Sequence, residues 1–298
     1  YSLLENNLNS SKNLNTLVQD IYKTLEPLCN NEGIDFPDEA IEELGDNIKN
    51  IFYEWKNPKQ RNNGFTLRMS NVGKPARQLW FENKSQGSVS DITPSTFIKF
   101  MYGHLLEEIL LFLVTLSGHE VNSAQKEVTV EGITGHMDCK IDGEVIDIKT
   151  ASGRAFQKFS NGTLAEDDPF GYIAQLCGYE AAEGTDGGGF LAINKETGEL
   201  ALYIPEELDK INIKNKINNL KESIALDTPP ERCYDPVPEG KSGNMKLNKN
   251  CFYCKHKFSC YADANDGEGL RTFMYSKGPV YLTEVKSTPR VTEIVDEL

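Results

Sequence analysis

The sequence GHMDCKIDGEVIDIK occupies residues 135–149 and decides the fold of the middle of the chain. The dipeptide Asp142-Gly143 at its centre is a strong signal for a two-residue β-hairpin, because the type I′ turn that it favours requires positive φ at both positions. Counting outward from that turn places Asp138 directly opposite Asp147. The stretch therefore predicts two antiparallel strands with a carboxylate at the same level of each.

This hairpin predicts two carboxylates and one ammonium group on one face of a sheet. Directly opposed side chains lie about 4.5–5.5 Å apart at Cβ. Lys149 shares the face of Asp147 because side chains alternate along a strand. Two carboxylates at that distance repel each other unless a cation lies between them, and Mg²⁺ needs only one or two carboxylates beside water and phosphate oxygens. An Asp-x-Lys sequence alone also fits a solvated ion pair, so other motifs must decide.

Predicted helices and strands on both sides of the hairpin indicate an α/β fold with a mixed sheet. The clearest helix covers residues 93–116, because Thr93 is a good cap, Pro94 fits the first turn and a Ser-Gly pair follows. Further helices are predicted over 14–25, 41–52, 75–82, 169–183 and 211–224. Further strands are predicted over 119–121, 127–130, 189–194 and 200–204.

The composition changes along the chain and predicts three regions. These are an N-terminal helical region and loop over 1–92, the α/β core over 93–227, and a Cys-rich segment with a tail over 228–298. The longest apolar run, 109–116, is much shorter than the roughly 18–20 residues that span a bilayer. The N-terminus lacks the basic and apolar stretches of a secretory signal. We expect a cytoplasmic protein, in the host cytoplasm if the source is viral, with no membrane partner.

Two of the predicted helices carry further candidate site residues. Glu107 lies on the helix over 93–116, with Glu108 beside it on a different face of the helix. Gln175 and Tyr179 are four residues apart on the helix over 169–183, so their side chains share one face. Taken singly, an exposed helix charge or a chance Gln-x-x-x-Tyr pair explains each of them. Their order around the hairpin makes the combination informative.

The Gly-His-x-Asp strand, the Asp-Ile-Lys strand and the Gln-x-x-x-Tyr helix together resemble the PD-(D/E)XK nuclease superfamily. The likeness is greatest to RecB-like, phage-type exonucleases and covers about residues 70–260. It implies a mixed central sheet flanked by helices, and the N-terminal helical extension lies outside the likeness. It also implies that Glu107, Asp138, Asp147 and the carbonyl oxygen of Ile148 hold one or two Mg²⁺ or Mn²⁺ ions. Lys149 would then orient or deprotonate the attacking water, or stabilise charge on the phosphate.

The resemblance also implies a reaction and a polymer. The reaction is metal-dependent hydrolysis of DNA phosphodiester bonds, with Gln175 and Tyr179 holding DNA or supporting the catalytic lysine. We expect an exonuclease of replication, recombination or DNA degradation. A structure-specific endonuclease and a catalytically silent DNA-binding subunit are the alternatives. Single-stranded and double-stranded DNA both fit the motifs, as do a homo-oligomer and a recombination partner.

The cysteines predict a second, structural metal site. Cys251, Cys254 and Cys260 are clustered, which in a reducing compartment indicates metal ligation before disulfides. RecB-like nucleases with a similar triplet add an upstream cysteine and bind a [4Fe–4S] cluster, but the corresponding segment here, 70–81, has none. Cys233 offers a local fourth thiolate, with His256 as a substitute ligand. Four thiolates suit either Zn²⁺ or a [4Fe–4S] cluster, and reduced cysteines without metal are the alternative.

The charge distribution predicts where DNA would bind. A net charge of −14 taken alone argues against a nucleic-acid binder. Two stretches are nevertheless basic, 56–77 and 241–257, and the second has five lysines and no acid. The candidate DNA contacts are Arg77, Arg154, Lys158 and Lys241. Binding through such residues weakens as salt rises, whereas a merely solvated basic surface would bind nothing.

Overall fold

The computed structural model describes residues 12–58, 64–85 and 93–295, so residues 59–63 of the first basic stretch lie outside it. Its helices lie close to the predicted ones. The α-helices are α1 (Leu17–Cys29), α2 (Asp38–Lys56), α3 (Ala76–Lys84), α4 (Pro94–Leu116), α5 (Gly153–Ser160), α6 (Tyr172–Glu183), α7 (Ile213–Ala225), α8 (Lys257–Cys260) and α9 (Ala264–Gly267). Helix α5 was not predicted, because its eight residues are too few for a periodic pattern.

The strands form one mixed sheet, one antiparallel sheet and a two-stranded ribbon. They are β1 (Val121–Asn122), β2 (Lys126–Val130), β3 (Ile133–Met137), β4 (Cys139–Ile141), β5 (Glu144–Ala151), β6 (Gly189–Asn194), β7 (Leu200–Tyr203), β8 (Val237–Pro238), β9 (Met245–Lys246), β10 (Arg271–Tyr275), β11 (Gly278–Glu284) and β12 (Glu293–Ile294). The mixed sheet has the order β1-β4-β5-β6-β7, with β5 and β6 parallel. The antiparallel sheet has the order β12-β10-β11-β9-β8, and β2 pairs with β3 in the ribbon. The expected α/β fold with a mixed sheet flanked by helices is confirmed.

The chain divides into two compact units. Unit 1 consists of Tyr1–Gly73 and Gly87–Asn218, and unit 2 of Lys74–Gln86 and Asn219–Leu298. These boundaries differ from the predicted ones at 92 and 227, because α3 belongs with the C-terminal segment. The indole N–H of Trp80 in α3 donates to the carbonyl oxygen of Leu226 at 2.8 Å. Such pairing between distant segments leaves no local pattern in the sequence.

Strand β5 separates the core of unit 1 from a polar face. Ile146 and Ile148 of β5 pack in an apolar cluster with residues of α1 and α4, such as Leu110. Because side chains alternate along a strand, Asp147 and Lys149 point to the other face of the sheet. Ile146 and Ile148 thus lie on the side of the sheet opposite Asp147 and Lys149, while buried Val145 shares the face of the charged pair.

The predicted hairpin turn is confirmed, and its register is the expected one. Asp142 and Gly143 have φ values of 51° and 91°, as a type I′ turn requires. Pairing outward from the turn ends at Cys139, opposite Ile146. The turn is anchored by buried His119, whose Nδ1 lies 2.6 Å from the Asp142 carboxylate. Sequence reasoning assigned His119 to a strand and missed this contact.

The first strand of the hairpin is not continuous, contrary to the prediction. The chain leaves β3, which pairs with β2, and enters β4, which pairs with β5. Asp138 is the residue between the two strands. Its side-chain Oδ2 accepts a hydrogen bond from the backbone N–H of Ile148 at 2.7 Å. The carboxylate therefore lies just beyond the last pair of the β4–β5 ladder, at the level where the register continued outward would meet Asp147.

Helix α6 begins three residues after its predicted start at residue 169. Asp168 explains the difference, because its carboxylate accepts hydrogen bonds from the backbone N–H groups of Gly171, Tyr172 and Ile173 at 2.9–3.0 Å. These donors are free at the start of a helix and an acidic side chain satisfies them well. The cap fixes the backbone of the first turn of α6, from which the side chain of Tyr172 extends.

Unit 2 is more regular than the sequence suggested. The residues after 228 were expected to be a metal-stapled segment with an unassigned tail, but they contain the β10–β11 hairpin at the centre of a five-stranded sheet. Two asparagines link loops of this sheet through hydrogen bonds to backbone N–H groups. Asn244 Oδ1 accepts from the N–H groups of Lys286 and Ser287, and Asn265 Oδ1 accepts from that of Val285.

Helix α4 has 23 residues and places Glu107 on the polar side of unit 1. Leu110 and Val114, one and two turns further on, are fully buried. Within the described ranges, no helix combines the length and the apolar composition that crossing a bilayer requires.

Candidate functional site

Asp147 and Lys149 of β5 form the centre of the candidate site in unit 1. The ammonium group of Lys149 makes a direct ion pair with Oδ2 of Asp147, whose side chain is 2% exposed. Apart from this ion pair, Oδ2 has no hydrogen-bond donor among the described residues. Nζ of Lys149 also lies 4.5 Å from the ring centroid of Tyr172, in cation–π geometry. The lysine is therefore held on two sides.

Asp138 and Glu107 bring two further carboxyl groups to the same place. Burial raises the pKa of Asp138 well above its usual range, and repulsion from Asp147 and Glu107 adds to the effect. Burial also raises the pKa of Glu107 to about 7, with further contributions from Glu108 and Asp147. Carboxyl groups influence one another in this way only at short range. The structure thus gathers the three acids that the sequence nominated.

The two neighbouring glutamates of α4 have different surroundings. Oε1 of Glu107 accepts a hydrogen bond from Nε2 of Gln125 at 2.7 Å. Oε2 of Glu108 instead accepts from Nδ2 of Asn47 in α2 at 3.0 Å. The pKa of Glu107 is raised first by burial, and the charges of Asp147 and Lys149 also act on it. Sequence reasoning missed Gln125, which precedes β2 with a φ of 53° and offered no motif.

Lys149 carries a positive charge in this arrangement. Burial by itself lowers the pKa of a lysine, but the carboxylates of Asp147 and Asp138 outweigh it and raise the pKa of Lys149. At neutral pH its side chain is consequently a hydrogen-bond donor and a local positive charge. Orienting a ligand and stabilising negative charge use this charged form of the lysine, whereas proton abstraction requires its neutral form.

Gln175 and Tyr179 support the strand that leads to Asp138. Nε2 of Gln175 donates to the Tyr179 hydroxyl at 2.9 Å, and that hydroxyl donates to the carbonyl oxygen of His136 at 2.7 Å. Burial raises the pKa of Tyr179 to about 12, so the hydroxyl stays protonated as a donor. A Cβ at Gly135 would lie 2.4 Å from the Met69 Cβ, so only glycine allows this close packing of β3.

The four cysteines nominated by the sequence line one cleft in unit 2. Cys233, Cys251, Cys254 and Cys260 all contribute to its walls. Burial raises the pKa of Cys251 to about 11, and the other three thiols add to the shift. The thiols are therefore close enough to interact, and the raised pKa of Cys251 favours its neutral, protonated form.

Two further side chains contribute to the cysteine cleft. Nε of Arg77 donates to Sγ of Cys260 at 3.0 Å, and the guanidinium also donates to the carbonyl oxygen of Pro230. The ring of His256 stacks on Phe81 at 5.6 Å, and its buried Nε2 has no hydrogen-bond partner in the described part of the chain. Arg77 was nominated as a DNA contact, but its donors are engaged inside the cysteine cleft.

The other nominated DNA contacts differ in exposure. Arg154 in α5 and Lys241 are exposed. Lys158 donates to the backbone oxygen of Asp167 at 2.6 Å and pairs with its carboxylate at 2.9 Å. Its ammonium group is thus bound within unit 1, which leaves Arg154 and Lys241 as the open cations of this set.

Neither cluster has the geometry of a loaded metal site. As the side chains stand, the His, Cys, Asp and Glu residues of the described ranges include no group of three placed to hold one ion. The donor chemistry is nevertheless suited to ions of two kinds. Carboxylate and carbonyl oxygens suit Mg²⁺ or Mn²⁺, and four thiols suit Zn²⁺ or an iron–sulfur cluster.

Comparison with known proteins does not assign a family. No protein-family model matches the chain, and no curated protein matches it. One similar solved structure is titled "Crystal structure of SSO0001", with 17% identity and a TM-score of 0.40 over 72% of this chain and 93% of that chain. Similarity at this level carries no argument about activity.

Proposed function

We propose that the protein is a divalent-metal-dependent nuclease that hydrolyses phosphodiester bonds in DNA. The observation that carries the proposal is the gathering of three mutually repelling carboxyl groups, Glu107, Asp138 and Asp147, around the charged Lys149. A protein that needed only stability would gain little from such a group, because buried like charges are unfavourable.

The donor set fits a hard divalent cation. Two of the acids have raised pKa values, and Oδ2 of the third pairs with Lys149 and has no hydrogen-bond donor among the described residues. A bound cation would favour the ionised form of all three. Glu107, Asp138, Asp147 and the carbonyl oxygen of Ile148 are the proposed ligands of one or two Mg²⁺ or Mn²⁺ ions. When bound, such an ion supplies Lewis acidity to the phosphate and lowers the pKa of coordinated water.

The chain's own residues would position and stabilise the reacting phosphate. Lys149, held by Asp147 and the Tyr172 ring, presents a fixed positive charge where negative charge develops. Gln175 and Tyr179 hold the backbone at His136, two residues before Asp138. We assign them a positioning role rather than direct contact with DNA.

We favour an exonuclease of replication, recombination or DNA degradation, acting on single- or double-stranded DNA. A structure-specific endonuclease and a silent DNA-binding subunit are the competing functions. A second copy of the chain or a recombination protein is the proposed partner beside DNA, and the cytoplasm, of a host if the source is viral, is the proposed compartment.

A second, structural metal belongs to the proposal. Cys233, Cys251, Cys254 and Cys260 would hold Zn²⁺ or a [4Fe–4S] cluster, since four thiols line one cleft and Arg77 already donates to one sulfur. Hydrogen bonds to ligand sulfurs are usual around such sites. Metal analysis with an absorption spectrum separates colourless zinc from a coloured cluster, and protein lacking both would contradict this part.

The reaction is tested by digesting end-labelled linear and covalently closed circular DNA with Mg²⁺, Mn²⁺ or chelator. We expect metal-dependent loss of nucleotides from ends, reduced about 100-fold or more by Lys149→Ala, the order of magnitude for losing one charge-stabilising donor. Lys214→Ala, an exposed lysine of α7, is the matched control and should leave the rate unchanged. Cleavage of closed circles would favour the endonuclease, and no cleavage of any substrate by folded, metal-replete protein would favour the silent subunit.

A further inference from the structure

Four aromatic side chains form a connected surface on unit 2, called here the ring surface: Phe252, Tyr253, Phe258 and Tyr281. The ring centroids of Phe252 lie 4.8 Å from Tyr253 and 5.4 Å from Tyr281. Those of Phe258 and Tyr281 are 5.8 Å apart. Tyr253 is 91% exposed and Phe258 is 42% exposed. Their faces are therefore available to a ligand.

The exposed ring of Tyr253 extends from a hydrogen-bonded turn of the backbone. It lies between Cys251 and Cys254, and the backbone N–H of Cys254 donates to the carbonyl oxygen of Cys251 at 3.1 Å. The N–H of Phe252 donates to the carbonyl oxygen of Lys249 at 3.2 Å. A large ring that is almost fully exposed adds little to the core. Its placement on an ordered turn is a reason to look for a ligand.

The ring surface borders a cleft of about 500 Å³ with a positive character. Apolar residues of its wall include Leu247 and Val280, and Lys246 and Lys249 are its charged residues. None of the described residues that line it is acidic. This volume is in the range of pockets that take small organic groups, so a planar base can enter.

A further lysine, Lys257, makes cation–π contacts with two of these rings. Nζ of Lys257 lies 4.7 Å from the centroid of Tyr281 and 5.3 Å from that of Phe258. Residues 241–257 hold five lysines and no acid in a chain whose net charge is −14. Charge complementarity therefore points to a polyanion at this surface.

The geometry points to single-stranded DNA as the ligand of the ring surface, with unpaired bases stacked on Tyr253 and the neighbouring rings and the backbone phosphates near Lys246, Lys249 and Lys257. Exposed aromatic faces interleaved with cations are the combination that binds unpaired bases without reading their sequence. In a duplex the base faces are covered by their neighbours, so the same rings would gain nothing. The inference rests on the proposed function in taking DNA as the polymer.

The test measures binding without cleavage. Anisotropy of a fluorescein-labelled oligothymidylate is followed in a Lys149→Ala background without added divalent ion, so that loss of nuclease activity and loss of binding are read separately. Stacking contributes about 1–3 kcal/mol per base, so Tyr253→Ala should weaken binding by about 5-fold or more. Tyr253→Phe keeps the ring and should bind like the parent. Tyr53→Ala, a 59% exposed tyrosine of α2, is the matched control.

A second readout reports stacking itself. Tyr253→Trp places an indole on the turn, and its fluorescence should be quenched by the oligothymidylate beyond any change in the parent, which contains Trp55 and Trp80. Binding of oligothymidylate that is unchanged in Tyr253→Ala, or a loss of equal size for duplex DNA of the same length, overturns the inference. The second result would assign the surface to phosphate contact alone. Nuclease activity on duplex ends does not enter either readout.

Discussion

The acids of unit 1 and the thiols of unit 2 are two clusters of like groups that the chain stabilises in different ways. In unit 1, Lys149 supplies a permanent positive charge beside Asp147, and the surrounding sheet is packed on a continuous apolar core. In unit 2, burial raises the pKa values of Cys233, Cys251 and Cys254, that of Cys251 to about 11, and repulsion from neighbouring thiols adds to the effect. A carboxylate cluster with its own cation can exist without metal, whereas thiols become strong ligands only when they lose their protons.

The apolar support of the two clusters differs as well. Among the described residues, the buried apolar side chains of unit 2 are Leu79, Leu220, Ile224, Leu247, Tyr261, Phe273 and Leu282. Those of unit 1 are much more numerous and include both faces of β5 and β6. We therefore propose that a metal at the thiols would serve folding and that a metal at the acids would serve chemistry.

The largest expected effect is the unfolding of unit 2 when the metal proposed for its thiols cannot bind. Binding free energies of structural zinc in small domains are of the order of 10 kcal/mol. Cys254→Ser should therefore abolish bound metal and leave the amides of β10 and β11 unprotected from hydrogen exchange, while those of β5 and β6 stay protected. Cys29→Ser, at an exposed cysteine of unit 1, should change neither. Equal protection of β10 and β11 in both variants would show that unit 2 needs no metal.

The pH dependence of unit 1 without metal is the next largest effect. The folded state raises the pKa of Glu107 from 4.5 to about 7. Between those values the folded protein keeps a proton that the unfolded chain has lost, so stability falls as pH rises through the window. One pKa unit corresponds to about 1.4 kcal/mol, which limits the loss to about 3 kcal/mol.

Urea unfolding at pH 5 and at pH 8 measures this loss, because these two pH values bracket the titration of Glu107. Trp55 fluorescence in a Trp80→Phe background reports on unit 1 alone. Glu107→Gln removes one of the two acids with raised pKa values, the other being Asp138, and should therefore reduce the dependence. Glu39→Gln, at an exposed position of α2, should leave it unchanged. If Glu107→Gln keeps the full slope, another group is responsible.

The register of the hairpin was predictable because it depends on local information. The Asp142-Gly143 turn and the alternation along β5 together place Asp147 and Lys149 on one face, and both features hold in the structure. The break at Asp138 was not predictable, because it arises from the pairing of β3 with β2 rather than from residues of the hairpin itself.

The choice between neighbouring residues depended on long-range contacts. The resemblance nominated Glu107 rather than Glu108, but the different hydrogen-bond partners of the two, Gln125 and Asn47, could not be inferred from the sequence. The role of Arg77 in the cysteine cleft was hidden for the same reason, since its partner Cys260 lies in another segment. Tyr172 carries no motif, and its position under Lys149 follows from the Asp168 cap of α6.

A smaller effect is expected when the hydrogen bonds of Tyr179 with Gln175 and His136 are removed. Tyr179→Phe removes the donor to the carbonyl oxygen of His136 and the acceptor for Gln175. Losing this part-buried hydrogen bond should cost about 1 kcal/mol, and nuclease activity should fall by less than the loss in Lys149→Ala because Tyr179 acts through β3. Thermal unfolding and cleavage rates test this, with Tyr53→Phe at an exposed site as control. A rate loss as large as that of Lys149→Ala would assign Tyr179 to direct contact with the substrate.

The most direct test of the central claim is a Mn²⁺ titration of unit 1's acids, followed by electron paramagnetic resonance. The parent protein should bind one or two Mn²⁺ ions. The affinity should fall about 10-fold or more in Asp138→Asn and Asp147→Asn, because each substitution removes a charged ligand. Asp186→Asn, at an exposed aspartate of the same unit, should bind like the parent. Unchanged Mn²⁺ binding in all three variants would contradict the assignment of these acids to a metal.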